Sequence, residues 1–61
     1  MSEERKKLIE DLIDFIHLTE RYVEATSRYN DITAVAKMNE RLTKFVRYLR
    51  RELAKRGIVV E

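Results

Sequence analysis

The chain contains no cysteine, proline, tryptophan or glutamine, and only one glycine, Gly57. Without cysteine, disulfide staples and thiolate metal sites are excluded. The lone His17 rules out an all-histidine metal site within one chain. With no proline, and no glycine before position 57, nothing forces a break in a long helical segment. No apolar run approaches the roughly 20 residues of a membrane span, so no membrane partner is expected. The opening MSEERKK carries charge where a secretory signal has its apolar core. The expected location is therefore intracellular, in the cytoplasm.

What is present is charge and aliphatic bulk. Charged residues make up 39% of the 61 positions and hydrophobic residues 44%, which is too apolar for a disordered tail. A chain this short buries a small fraction of its surface, and small scaffolds are usually held by disulfides, a metal or a partner. With cysteine absent, self-association is the remaining route. The abundance of Glu, Lys, Arg and Ile fits a hyperthermophile protein or an idealised designed helix. The net charge of +2 is unevenly distributed. Residues 1–31 hold eight acidic against five basic side chains, and residues 32–61 hold eight basic against three acidic. An acidic half followed by a basic half predicts two elements that lie side by side.

In the first half, Leu8, Leu12, Phe15, Thr19, Tyr22, Thr26 and Tyr29 step by four and three. This is the spacing of a helix packed against neighbours. Ile9, Ile13, Ile16 and Val23 widen the stripe on one side and Leu18 on the other. The apolar arc covers about half the helix circumference, wider than a helix facing one core requires. In the second half, Val35, Asn39, Leu42, Val46, Leu49 and Leu53 repeat the spacing, broadened by Ile32, Met38 and Phe45. Ser2 suits an N-cap, with Glu3 and Glu4 placed favourably against the helix dipole. Gly57 suits a left-handed C′ position, with Ile58 folding back on Leu53.

The expected architecture is all-α. Helix 1 spans about 3–29, a turn lies at about 30–31, helix 2 spans about 32–56 and a short tail covers 57–61. Asn30 is expected to end helix 1 in a left-handed conformation and Asp31 to cap helix 2. The competing reading is one unbroken helix of about 55 residues with a local phase shift. Two antiparallel hairpins, each with an over-wide apolar face, predict a homodimeric four-helix bundle. Its core and dimer interface are assigned to Leu8, Leu12, Phe15, Ile16, Thr19, Tyr22, Val23, Val35, Asn39, Leu42, Val46, Leu49 and Leu53. Thr19, Thr26 and Asn39 place polar groups on core lines, where one buried Asn fixes register or bonds locally. The β-prone tail Ile58–Glu61 either docks on a neighbouring chain or frays.

Little points to catalysis. His17 falls on the outer face of helix 1, where a solvated histidine is expected. No cofactor or metal is implied. There is no glycine-rich phosphate loop and no nucleophile beside a base. The clearest functional pattern is a basic stripe, Lys37, Arg41, Lys44, Tyr48, Arg51 and Lys55, spaced four and three along helix 2. The stripe rises about 27 Å along an α-helix, long enough to track a phosphate backbone. Tyr48 offers a ring for base stacking. The sequence pI of ≈ 9.2 is in the basic range of nucleic-acid binders.

Two resemblances bear on function. A helix–turn–helix chain of this length that dimerises looks like the Rop family of plasmid RNA-binding four-helix bundles. Asp14-Phe15-Ile16 is similar to that family's aromatic-plus-isoleucine position. The resemblance implies a dimeric bundle, although the family binds RNA with helix 1 and the basic stripe here lies on helix 2. Val35 to Thr43 resembles the second helix of small hairpin phosphatases acting on response-regulator aspartyl-phosphate. Asn39 and Thr43 stand where that family carries Ser and Asp. The expected function is a non-enzymatic interaction and oligomerisation module acting through homodimeric bundle contacts with itself or another protein. The alternative is a nucleic-acid binder, plasmid- or virus-encoded, that uses the stripe.

Overall fold

A computed structural model describes residues 2–61. It is an all-helical hairpin. Helix α1 spans Glu3–Thr26 and helix α2 spans Thr33–Lys55. A single 3-10 turn, Ser27–Tyr29, lies between them. The unbroken-helix alternative is excluded, because the two helices pack against each other along their length. The molecule measures 46 × 18 × 17 Å, about the shape of two adjacent helical rods.

The start of α1 follows its sequence. Ser2 is extended, at φ −94° and ψ 153°, and its hydroxyl accepts from the Arg5 N–H at 3.2 Å. Glu3 and Glu4 occupy the first turn, where carboxylates suit the dipole.

The turn differs from expectation in three respects. Asn30 is right-handed, at φ −67° and ψ −11°, and does not supply a left-handed terminator. The α-helix ends three residues earlier than the sequence pattern predicts. The Thr26 hydroxyl donates to the Tyr22 carbonyl at 2.8 Å, and the Ser27 hydroxyl donates to the Glu24 carbonyl at 2.7 Å. These hydroxyls compete with main-chain N–H groups for the last carbonyls, and the chain tightens into a 3-10 turn. Asp31 does not cap α2. The N-cap position falls on Ile32, at φ −88° and ψ 114°, which has no side-chain acceptor to offer. One extra residue of turn, closed by Ile32 N–H to the Tyr29 carbonyl at 2.9 Å, carries Asp31 out of the capping position.

The end of α2 matches a Schellman motif. Gly57 has φ 80°. Its N–H bonds the Ala54 carbonyl at 3.0 Å, and the Ile58 N–H bonds the Leu53 carbonyl at 2.9 Å. The tail then neither frays nor reaches out. Ile58 and Val60 pack onto the hydrophobic core, and Arg50 Nη1 donates to the Val60 carbonyl at 2.6 Å. His17 is tied in as well, because its Nε2 lies 2.6 Å from the main-chain oxygen of Glu61. Alternation explains the tail, since Ile58 and Val60 face inward and Val59 faces solvent.

The core between the helices is thin. Ile16, Val46 and Leu53 are its buried apolar residues, with Ile13 and Leu49 packed against them. Thr19 and Asn39 are buried polar members of the same layer.

Candidate interaction surface

One face of the hairpin is sealed and the other is bare. On the sealed face, Glu20 and Arg50 form a bidentate pair with both oxygens at 2.9 Å from Nη2, and the tail runs alongside. The acidic first half thus neutralises one flanking arginine of α2. Arg47 makes no salt bridge among the described residues. Above the Glu20–Arg50 pair, Val23, Thr43 and Val46 floor a small open cleft of ≈ 250 Å³, rimmed by Glu24 and Arg47.

The bare face is apolar. Leu8, Phe15 and Tyr22 recur every seven residues along α1 and so share one line of its helical wheel, and Tyr29 follows in the 3-10 turn. All four are exposed. From α2, Met38 and Phe45 stand on the matching line and are also exposed. The two sets meet at midlength, where the rings of Phe15 and Phe45 lie 6.1 Å apart, edge to face. They remain 43% and 46% accessible, so their mutual contact covers only one side of each ring. Leu18 and Tyr22 border a shallow apolar depression between Phe15 and Leu42.

Residues assigned to a bundle core therefore fall into three groups. Ile16, Thr19, Asn39, Val46 and Leu53 are buried within the hairpin. Leu12, Val23, Val35, Leu42 and Leu49 are half-buried. Leu8, Phe15 and Tyr22 are left exposed. Phe45, Met38 and Leu18 belong to the bare face as well. The signal for them is present in the sequence as the residues that broaden each stripe.

The chain's total surface is large for its mass. The chain exposes 5189 Å², whereas surface–mass scaling gives about 4,200 Å² for a compact monomer of 7.4 kDa. The excess of about 1,000 Å² goes with the elongated 46 × 18 × 17 Å shape, which leaves large apolar side chains of both helices exposed.

The six stripe residues Lys37, Arg41, Lys44, Tyr48, Arg51 and Lys55 are all exposed on α2. Two of them are engaged within the chain. The Tyr48 ring stacks on Phe45 at 6.4 Å and 17°, which joins the stripe to the edge of the apolar face. Lys55 Nζ bonds Glu52 Oε2 at 3.0 Å, and Arg56 reaches Glu52 Oε1 at 3.3 Å. The hydrogen bonds from Lys55 and then Arg56 hold the Glu52 carboxyl below its ordinary value of 4.5.

No group of three or more potential metal ligands converges among the described residues. No described helix is long and apolar enough to cross a membrane. No protein-family model, curated protein or solved structure matches the chain. The local likenesses at Asp14–Ile16 and Val35–Thr43 therefore rest on short patterns alone.

Proposed function

We propose that this chain is a non-enzymatic oligomerisation and interaction module whose bare aromatic face packs against a second copy to form a four-helix bundle. The observation that carries the reading is the Phe15–Phe45 face, a run of exposed aromatic and aliphatic side chains on both helices left uncovered by the chain's own tail. Homodimers with two-fold symmetry are the commonest closed solution for such a face. Thermal unfolding across a hundredfold range of protein concentration tests it. A dimer-linked fold melts at higher temperature as concentration rises. A concentration-independent melt contradicts the proposal.

A second reading is supported by Lys37, Arg41, Lys44 and Arg51, which are exposed and make no salt bridge among the described residues. The ridge then follows a nucleic-acid backbone by charge. Binding to mixed RNA and DNA, measured against salt, tests this reading. Phosphate contacts give affinity that falls steeply and linearly in log salt. The double variant Lys44→Glu with Arg51→Glu is expected to abolish binding while leaving helicity unchanged.

A further inference from the structure

We infer that, in this dimer, α1 of one protomer packs against α2 of its partner, with the two turns at the same end of the bundle. The inference rests on the dimer reading above. Two two-fold arrangements bring the bare faces together. With the axis along the bundle, α1 neighbours the partner's α2 and both turns share one end. With the axis across the bundle, α1 neighbours the partner's α1, α2 neighbours the partner's α2, and the turns lie at opposite ends. Both bury the same apolar face, so the choice falls to the charged edges beside it.

Those edges differ in charge. Three residues outward from Leu8 on α1 stands Asp11, with Lys7, Asp14 and Arg21 in the row beyond it, a mixed edge against the all-basic one of α2. Three residues outward from Met38 on α2 stands Arg41, and the ridge continues through Lys44 and Arg51. Levels along the bundle follow from the hairpin itself. Leu8 and Leu12 share one groove with Leu49 and Leu53, so Asp11 stands at the height of Arg51. A two-fold axis along the bundle preserves that height. It sets Asp11 and Asp14 beside the partner's Arg51. A two-fold axis across the bundle instead runs the two basic ridges against each other, which places like charges at close range. Each exposed pair contributes little. The repulsion between two basic ridges, in which Lys55 alone has a carboxylate partner among the described residues, is what separates the two arrangements.

A spin label on Asp31→Cys measures the arrangement directly. The chain has no other cysteine, and Asp31 is an exposed turn residue with no side-chain partner among the described residues. Turns at the same end give a label separation under about 30 Å, since neighbouring helix axes lie about 8–10 Å apart. Turns at opposite ends give a separation near the 46 Å length of the molecule. The variant Arg51→Glu provides an independent readout. It raises the dimer Kd by about two- to fivefold if Arg51 faces the partner's Asp11 and the partner's Asp14. It lowers the Kd if Arg51 faces the partner's basic ridge. A long separation, or a tighter dimer from Arg51→Glu, overturns the pairing and leaves the dimer standing. A monomer in both variants and in the native chain overturns the dimer and the pairing together.

Discussion

The Asn39 carboxamide donates across the hairpin to the Thr26 hydroxyl, Nδ2 to Oγ1 at 3.0 Å, while that hydroxyl donates to the Tyr22 carbonyl at 2.8 Å. Asn30 Oδ1 lies 3.5 Å from the same nitrogen. Asn39 is buried, and no buried polar side-chain atom among the described residues lacks a partner. The bond joins the last turn of α1 to the second turn of α2, so it fixes the register of one helix on the other.

Thr26→Val removes the acceptor and leaves the Asn39 amide buried beside one distant partner. It is expected to cost about 1–3 kcal/mol, as an unsatisfied buried donor does. Asn39→Leu with Thr26→Val replaces both partners by apolar groups and is expected to recover most of that stability. A double-mutant cycle by urea denaturation reads the coupling. A coupling energy of zero would mean that the bond does not hold the turn.

The N-terminus of α2 is uncapped. Ile32 occupies the N-cap position, has no acceptor and is 50% exposed. Ile32→Asp supplies both a capping oxygen and a charge that complements the dipole. It is expected to stabilise the fold by about 0.5–2 kcal/mol, seen as a higher Tm. A lower Tm would show that the Ile32 side chain contributes more by packing than the missing cap costs.

Glu52 gives the C-terminal turns of α2 a pH dependence. Its folded pKa is lowered by Lys55 and Arg56. The stabilisation is therefore present at neutral pH and is lost as pH falls below 4.5 through the folded value. Glu52→Gln is expected to be slightly less stable than the native chain at pH 7. The difference is expected to vanish in strongly acidic solution. Thermal melts of both proteins between pH 7 and the acid limit check this, and a gap that widens in acid would refute it.

Arg50 links α1, α2 and the tail through Glu20 and the Val60 carbonyl. Arg50→Ala is expected to free the tail. Exchange of the Ile58 N–H, which bonds the Leu53 carbonyl where the tail leaves α2, should accelerate, with a small change in global stability, because the Glu20 pair is partly exposed. Unchanged exchange would assign the docking to Ile58 and Val60 alone.

The hairpin was legible from the phase slip between Tyr29 and Val35, and the Schellman end from Gly57 followed by Ile58. These features are local and follow from backbone chemistry. The turn details were not legible, because Asn30 and Asp31 suit several turn roles. The hydroxyls of Thr26 and Ser27 settled the matter by taking carbonyls from the helix. The docked tail is not legible in the sequence for a different reason. Its docking depends on Arg50 and on His17, which lies 44 positions from Glu61. The over-wide stripe of helix 1 was readable as such. Which part of it faces inward depends on the packing angle, and the packing places Ile16 inside and Phe15 outside.

A second copy of the chain is expected to cover the bare face made by Leu8, Phe15, Tyr22, Met38 and Phe45. Sedimentation equilibrium of the native chain at micromolar concentration, beside Phe45→Asp, tests this most directly. A native mass of twice 7.4 kDa is expected, with a shift toward a single chain for Phe45→Asp. A folded native monomer at that concentration would contradict it.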